Sequence, residues 1–197
     1  MKQAEAFLNG EGDNWYERNR HAELNYTVVN AILDACKEPS RILEVGCGNA
    51  RYLGELHRYY GCKCSGIDAS EKAISEGHKN YPALDLRHAG ILTGLRYYDV
   101  PCLDLILFGF CLYIVDRELI WHIVAQADYA LKDGGFIAIH DFDPVEPAKV
   151  PYIHKFGLFT YKMNYAGLWL ANPAYKQVSK TQTAPGETIT IIQKVGW

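Results

Sequence analysis

The sequence lacks two features that would assign the chain to common classes of protein. No apolar run approaches the length that a membrane span needs, and the first fourteen residues, with Glu5, Glu11 and Asp13, do not resemble a secretion signal. A surplus of positive charge is missing too, because the formal net charge is −3. We therefore expect a cytoplasmic protein that neither spans a membrane nor binds nucleic acid through a broad basic surface.

Cysteine pairs with the spacing of a zinc site are also missing. Six cysteines are scattered at positions 36, 47, 62, 64, 102 and 111, and only Cys62 and Cys64 lie close together. A structural zinc site of this kind needs a second pair, and the cysteines fall in segments that otherwise look like core. We therefore expect reduced thiols, no disulfide frame and no bound metal.

The apolar residues alternate between short strand-like runs and longer helical stretches, which is typical of a mostly parallel sheet flanked by helices. The last two predicted strands are joined by Ala184, Pro185 and Gly186 with no helix between them, so they should form an antiparallel hairpin. We predict a Rossmann-like α/β fold with helices on both faces and seven strands: Arg41–Val45, Lys63–Ile67, Leu84–His88, Leu103–Phe108, Phe136–His140, Tyr175–Thr183 and Thr188–Lys194.

Helix signals lie between these strands. Ser70 has the side chain of a helix N-cap, with Glu71 in the first turn, and Asp116 is a second candidate cap. We predict helices at His21–Cys36, Arg51–Tyr60, Ser70–Asn80, Arg117–Leu131 and Tyr161–Leu170.

The chain length favours one domain, since 197 residues, about half of them apolar, suffice for one substantial core and are few for two. We predict a single domain over residues 1–197, with residues 1–36 as a helical N-terminal lid. Residues 142–172, which begin with a stretch rich in proline and aromatic residues, form an insertion over one end of the sheet. The sequence does not indicate an oligomeric state.

A glycine turn follows the first predicted strand. Gly46 and Gly48 permit positive φ and let a ligand approach the backbone, and the helix that follows offers unpaired N–H groups. A purely structural turn is the alternative. A dinucleotide-binding turn requires a third glycine three residues after the second, and that position holds Arg51.

At this turn the sequence resembles the class I S-adenosylmethionine-dependent methyltransferases. Their first motif is an acidic residue followed by three glycines at alternate positions, which correspond here to Glu44, Gly46, Gly48 and Ala50. Ala50 replaces the third glycine with another small residue. The resemblance implies that S-adenosylmethionine is the cofactor and that this turn, with Cys47, lies against it.

Asp68 ends the second predicted strand, twenty residues after Gly48. A carboxylate there can accept hydrogen bonds from both ribose hydroxyls, although Asp68 could instead cap the next helix. The resemblance implies that Ala69 and the backbone of Gly90 and Ile91 lie near the adenosine. The family often has an acidic residue at about the position of Gly90 to meet the adenine amino group.

The fourth predicted strand ends at Phe108, and the residues that follow correspond to the family's segment beside the methionine moiety. This segment lacks the Asn/Asp-Pro-Pro-Tyr sequence of many amino-group methyltransferases that act on nucleic acid. The resemblance therefore favours a small-molecule acceptor.

His140 and Asp141 end the fifth predicted strand, where ligands of open α/β sheets bind. His140 could take the proton of a hydroxyl acceptor, and Asp141 or Asp143 could orient the imidazole or hold the substrate. The alternative for His140 is a satisfied hydrogen bond at a strand end. We name His140 and Asp141 as the candidate catalytic residues.

Two further segments are candidates for covering the site. Trp15 precedes the first predicted helix, and Arg18 or Arg20 beside it could meet the cofactor carboxylate; an unliganded surface helix is the alternative. The insertion could form an acceptor pocket or simply a packed loop. Its aromatic and basic residues are Tyr152, His154, Lys155, Phe156, Phe159, Tyr161 and Lys162.

The function expected from these features is methyl transfer from S-adenosylmethionine to a small molecule, on a hydroxyl of a sugar-like or other polar metabolite. Outside the cofactor motifs the chain has a loose similarity to small bacterial methyltransferases associated with sugar and polysaccharide biosynthesis. Two alternatives remain open: an NAD-dependent oxidoreductase, and a catalytically silent module that binds S-adenosylmethionine.

Overall fold

A twisted sheet of seven strands is the centre of the computed structural model, which describes residues 3–196. The strand order is β3-β2-β1-β4-β5-β9-β8, and the predicted fold class is confirmed. In chain order the strands of this sheet are β1 (Arg41–Val45), β2 (Lys63–Asp68), β3 (Asp85–His88), β4 (Leu103–Gly109), β5 (Leu131–Phe142), β8 (Tyr175–Ala184) and β9 (Glu187–Lys194).

The first five of these strands are parallel, and β1 lies in the middle between β2 and β4. All of β1 after Arg41 is buried, as expected for a strand covered on both faces. β9 pairs with β5 in antiparallel fashion, from Phe136↔Gln193 to Phe142↔Glu187. The predicted C-terminal hairpin is therefore confirmed, and it completes the edge of the sheet beyond β5.

Helices cover both faces of the sheet and enclose two apolar cores. On one face, Ile32, Leu53 and Ile74 meet the sheet; on the other, Ile123 and Trp169 do so. No helix within residues 3–196 is long and apolar enough to cross a membrane. The helices after the N-terminal segment are α3 (Tyr26–Ala35), α4 (Arg51–Tyr60), α5 (Glu71–Asn80), α6 (Ile91–Leu95), α7 (Ile120–Ala130) and α8 (Gly167–Leu170).

Helix ends were predicted correctly where the capping side chain is local. Ser70 caps α5, since its hydroxyl accepts a hydrogen bond from the amide of Ala73 at 3.0 Å. The prediction for Asp116 was wrong, because α7 begins four residues later and the carboxylate instead accepts hydrogen bonds from the amides of Gln3 and Ala4. The helix predicted from His21 begins only at Tyr26, after the cap Asn25, whose side chain accepts from the Thr27 amide.

The predicted helix Tyr161–Leu170 was also wrong over its first half. Its first two residues end the strand β7 (Phe159–Lys162), which pairs with β6 (Ala148–Pro151) in a separate two-stranded sheet. Only Gly167–Leu170 is helical. The aromatic residues of this segment suit a half-buried strand as well as a helix face, and pairing with β6 settles the choice.

The N-terminal segment, defined as residues 3–19, lies across the ends of the sheet strands. It consists of a short helix α1 (Gln3–Ala6), a π-helical turn over Phe7–Glu11 and the helix α2 (Gly12–Asn19). Because Asp116 caps the first amides of α1 and Gln3 donates its side-chain amide to the Ile114 carbonyl at 2.7 Å, the segment begins beside the loop that follows β4.

Trp169 provides a test of the packing on the α7 side of the sheet. Its side chain is 1% exposed and contacts Phe108, with ring centroids 5.5 Å apart. We expect Trp169→Ala to lower the free energy of unfolding by about 3–5 kcal/mol, because the cavity left behind cannot collapse fully. Trp121→Ala is the matched control, since Trp121 is 61% exposed; it should change the free energy by about 0.5 kcal/mol or less. Urea denaturation measures both, and equal losses would contradict the packing described.

Candidate functional site

A cavity of about 250 Å³ opens at the carboxyl ends of β1, β2 and β4, beneath the N-terminal segment. Its walls are mainly apolar, and Asp68 is the only carboxylate among the described residues that line it. This is the edge where open α/β sheets bind ligands. The cavity is lined by Ala4, Phe7, Leu8, Gly12, Trp15, Gly46, Ile67, Asp68, Ala69, Ala89, Gly90, Ile91, Leu92, Thr93, Gly109, Phe110, Cys111, Ile114, Val115, Leu119 and Ile123.

Gly46 forms the floor of the cavity, and no other residue fits there. Its φ is +74°, and an added Cβ would lie 2.6 Å from the Cβ of Cys111 and 3.0 Å from the carbonyl oxygen of Gly109. The amides of Gly46 and Cys47 both donate to the carbonyl of Ile67, at 2.9 and 3.1 Å. The turn is therefore fixed against β2 and β4, with its backbone facing the cavity.

Asp68 stands beside this turn at the end of β2. Its carboxylate accepts hydrogen bonds from the amide of Gly48 at 2.8 Å and from the amide of Ser70 at 2.7 Å. Burial raises the pKa of this carboxyl, while the two backbone hydrogen bonds oppose the shift. A carboxylate has about four acceptor positions, so each oxygen can still accept a hydrogen bond from a ligand in the cavity.

Five residues predicted to contact the cofactor do not line the cavity, namely Arg18, Glu44, Cys47, Gly48 and Phe108. Phe108 is completely buried and packs against Trp169, while Cys47 is buried against Gly66, where an added Cβ would lie 2.7 Å from its sulfur. Glu44 is 1% exposed beneath the cavity floor.

Glu44 has an unusual environment. Burial and the nearby charge of Asp68 raise the pKa of its carboxyl well above the ordinary range. Its Oε2 atom has no hydrogen-bond partner. Its Oε1 would lie 2.9 Å from a Cβ added to Gly109, a residue that lines the cavity. A buried, unpaired carboxyl oxygen next to a cavity is costly unless a ligand or water satisfies it.

The loop after β3 forms the wall opposite the glycine turn. Gly90 and Ile91 both line the cavity, and Gly90 occupies the cap position of α6 without a capping side chain. A Cβ on Gly90 would lie 3.2 Å from the side chain of Leu8 in the N-terminal segment. The backbone near Gly90 is therefore the polar surface on this wall, and Leu8 covers it.

The N-terminal segment closes the cavity from above. Gly12 touches the backbone of Ala69 so closely that a Cβ would lie 2.8 Å from its carbonyl oxygen. The carboxylate of Asp13 accepts hydrogen bonds from the Ser70 hydroxyl at 2.7 Å and from the Lys72 amide at 3.1 Å. The indole N–H of Trp15 donates to the hydroxyl of Tyr113 at 3.0 Å, and Trp15 lines the cavity.

Arg18 does not line the cavity, because its guanidinium donates hydrogen bonds to other residues of the protein. It donates to Glu11 and to the hydroxyl of Tyr152, each at 2.7 Å, and the same hydroxyl donates to Glu11 at 2.9 Å. Arg20 pairs instead with Glu17 on the surface. The Arg18 cluster joins the N-terminal segment to the insertion.

His140 lies one layer away from the cavity lining. Its ring contacts Phe110, which does line the cavity, with centroids 5.1 Å apart, and it contacts Tyr52 at 6.1 Å. Burial lowers the pKa of the imidazole to about 4, so the ring is neutral near pH 7. Within residues 3–196 the ring nitrogens have no hydrogen-bond partner.

Asp141 points to the opposite face of β5 and organises the loop that follows β4. Its carboxylate accepts hydrogen bonds from the amides of Leu112 at 2.9 Å, Tyr113 at 3.3 Å and Phe142 at 2.8 Å. Burial raises its pKa to about 7, against the effect of these hydrogen bonds. Asp143 faces away, since it pairs with Lys180 at 2.6 Å and accepts from Thr188.

The insertion residues divide into three groups. Tyr152 is buried in the Arg18 cluster, and the ammonium group of Lys162 lies 3.7 Å above the centre of the Phe142 ring. His154, Lys155 and Phe156 are partly or fully exposed at the tip between β6 and β7. The sequence reasoning missed Leu8 of the N-terminal segment and Ile123 of α7, because apolar side chains on helices look like ordinary core.

Comparison with known proteins agrees with this geometry. Residues 42–135 match the family model described as "Methyltransferase domain". The comparison with curated proteins by sequence found no match.

Several solved structures share the fold. The 1,6-didemethyltoxoflavin-N1-methyltransferase of Burkholderia thailandensis, crystallised with its substrate and S-adenosylhomocysteine, is 13% identical, with a TM-score of 0.77 over 97% of this chain and 88% of that one. A putative S-adenosylmethionine-dependent methyltransferase from Listeria monocytogenes is 14% identical, with a TM-score of 0.70 over 86% and 97%. The DhpI–SAH complex is 14% identical, with a TM-score of 0.69 over 98% and 95%.

The family match runs from the start of β1 to the middle of β5, and the carboxyl ends of β1, β2 and β4 in that span form the cavity floor. The structural likeness extends over nearly the whole chain. Residues 42–135, a little under half of the chain, therefore match a methyltransferase domain, and the fold of the chain is that of S-adenosylmethionine-dependent methyltransferases.

Proposed function

We propose that this protein binds S-adenosylmethionine in the cavity and catalyses transfer of its methyl group to a hydroxyl of a small polar metabolite. The observation that carries the proposal is the pairing of Asp68 with the Gly46 turn at the cavity floor. The dinucleotide-binding turn needs a glycine at position 51 for close packing of the helix on the strand, and Arg51 stands there and donates to the carbonyl of Ala22.

The residues present fit S-adenosylmethionine. Asp68 offers acceptors for the ribose hydroxyls, and apolar walls around Ile91 and Leu92 suit the flat adenine. At the cavity floor, Oε1 of Glu44 lies close to Gly109, and Oε2 of the same carboxyl has no hydrogen-bond partner among the described residues. When bound, this cofactor supplies a methyl carbon attached to a positively charged sulfur, from which a nucleophilic oxygen can displace a neutral thioether.

The chain's own contribution is to orient the acceptor and to remove its proton. His140 is neutral and has free ring nitrogens, so it can accept the proton of a hydroxyl. We assign Asp141 a positioning role, since its oxygens already hold the loop after β4. Methyl transfer depends strongly on such positioning.

The N-terminal segment acts in this proposal as a lid that excludes water. Its contacts with Ala69, Ser70 and Tyr113 close the cavity, so cofactor exchange requires the lid to move. The Burkholderia relative binds a small molecule, which supports a small-molecule acceptor rather than nucleic acid. All six cysteines are free thiols, which supports a cytoplasmic enzyme.

Calorimetry separates the candidate functions. Titration with S-adenosylmethionine, S-adenosylhomocysteine and NAD should show binding of the two adenosyl ligands and none of NAD. Binding of NAD alone would favour an oxidoreductase. Binding of the adenosyl ligands without methyl transfer to any member of a panel of hydroxylated metabolites would favour a silent binding module.

Asp68→Asn tests the cofactor site. The variant loses the charge and one acceptor oxygen, so we expect affinity for S-adenosylhomocysteine to fall roughly 10- to 100-fold. Asp85→Asn is the matched control, because that carboxylate pairs with Arg87 on the surface outside the cavity. Calorimetry measures both affinities, and thermal melts check that both variants fold. Equal affinities would remove Asp68 from the site.

Gly12→Ala tests the lid. The backbone of Gly12 is ordinary right-handed helix, so alanine is strained there only by the close contacts of its Cβ with the carbonyl groups of Ala69 and Phe7. We expect helix α2 to lift from Ala69 and the dissociation rate of S-adenosylhomocysteine to rise roughly fivefold or more. Glu17→Ala, which removes only the surface ion pairs with Lys72 and Arg20, should leave the rate unchanged. Stopped-flow fluorescence of Trp15 measures the rate; no difference between the two variants would contradict the lid.

His140→Gln and His140→Ala test the proposed base. Once an acceptor is found, kcat should fall roughly 100- to 10,000-fold while affinity for S-adenosylhomocysteine stays the same. Steady-state kinetics and calorimetry supply the two readouts. If kcat is unchanged in both variants, His140 is not the base.

A further inference from the structure

Five aromatic rings meet at the carboxyl ends of β4 and β5, and we call this group the aromatic platform. Phe110 is at its centre, with ring centroids 5.0 Å from Phe142, 5.1 Å from His140 and 5.5 Å from Tyr113. Tyr113 contacts Phe142 at 5.2 Å, and Tyr52 contacts His140 at 6.1 Å. All five contacts are edge-to-face, so in each pair the ring that presents its edge keeps both of its faces clear of its partner.

The platform is half exposed rather than sealed inside a core. Tyr52, Phe110 and Phe142 are each partly accessible, whereas His140 and Tyr113 are buried beneath them. Contiguous, partly exposed aromatic rings at the functional edge of a sheet form a surface that is suited to binding an apolar ligand. Lys162 lies over Phe142 and marks the outer end of the platform.

The rings are fixed in place by the backbone. Phe110 has φ +54°, a conformation that a bulky residue adopts only when its surroundings impose it. Its amide donates to the carbonyl of His140 at 2.8 Å, and Asp141 holds the amides of Leu112 and Tyr113. The backbone at the strained residue is therefore held to β5 on both sides.

The platform adjoins the proposed methyl-donor site through one shared residue. Phe110 lines the cavity together with Gly46 and Gly109, and it also contacts the ring of His140. A molecule on the platform would therefore lie beside the cavity at Phe110 and above the ring of His140.

We propose that the acceptor is a flat aromatic ring bearing a hydroxyl, which stacks on the aromatic platform with its hydroxyl directed toward His140. This inference rests on the proposed function and narrows its acceptor class, from hydroxylated metabolites in general to phenols and hydroxylated heteroaromatic rings. A saturated sugar ring lacks the flat π-face that this surface matches.

The acidity of the acceptor's hydroxyl also favours an aromatic ring over a saturated one. A phenolic hydroxyl has a pKa of about 10, whereas an alkyl hydroxyl is closer to water, with a pKa of about 15.7. Burial makes His140 a weak base. Such a base is better matched to the more acidic phenol, because proton transfer is efficient when the two pKa values are close.

Binding of matched ring pairs tests the proposal without any turnover. The probes are phenol against cyclohexanol, 2-naphthol against decahydro-2-naphthol, and methyl glucoside, each added to protein saturated with S-adenosylhomocysteine. Ligand-observed NMR should show binding of the flat members at least tenfold stronger than that of their saturated partners. Equal binding within each pair, preferential binding of the glucoside, or no binding of any flat ring would overturn the proposal.

Variants of Tyr52 show whether the flat rings bind at the platform. Tyr52→Leu should weaken binding of 2-naphthol roughly 3- to 10-fold, the value of one aromatic pair, and Tyr52→Phe should restore it. Phe156→Leu is the matched control, because Phe156 is fully exposed on the insertion and is not part of the platform. Equal binding by Tyr52→Leu and the control would overturn the proposal.

Calorimetry with S-adenosylhomocysteine on the same samples distinguishes failure of the platform proposal from failure of the proposed function. If the protein binds this cofactor product but no flat ring, only the platform proposal fails. If it does not bind S-adenosylhomocysteine, the proposed function itself fails.

Discussion

The buried carboxylate of Asp141 accepts hydrogen bonds from the backbone amides of Leu112, Tyr113 and Phe142. These hydrogen bonds set the geometry of the loop after β4, on which neighbouring parts of the site depend. The loop after β4 supplies the cavity wall at Phe110 and Cys111. It also supplies the Ile114 carbonyl and Asp116 that receive the start of the N-terminal segment. The hydrogen bonds to this one buried acid therefore stabilise more of the site than the residues that make them, because adjacent elements pack against the loop that they hold.

Asp141 also illustrates which parts of the site can be predicted from the sequence and which cannot. The turn at Gly46, the position of Asp68 and the strand β1 are local features of the sequence, and the structure reproduces them. The role of Asp141 is different, since its partners lie about 29 residues earlier in the chain. A sequence shows that an acid ends a strand, and it does not show which amides face that acid.

Long-range partners also account for the wrong predictions. Asp116 precedes a helix and has the side chain of a cap, yet it caps a different helix more than 110 residues away. Arg18 lies on the N-terminal segment as expected, but Glu11 and Tyr152 occupy its donors. The first two residues of the predicted helix at Tyr161 belong to a strand because β6 was available to pair with them. In each case tertiary contact overrode a reasonable local preference.

The antiparallel pairing of β5 with β9 determines which side chains of β5 face each side of the sheet. Side chains alternate along a strand, so His140 and Phe142 face one side while Asp141 faces the other, and a slip of one residue would exchange them. The pairing from Phe136↔Gln193 to Phe142↔Glu187 prevents that slip. The last ten residues of the chain contribute no group to the cavity lining among the described residues. They nevertheless determine which chemical groups the fifth strand presents on each face of the sheet, so substitutions in this hairpin would act on the site through β5 and not through a contact with the cavity.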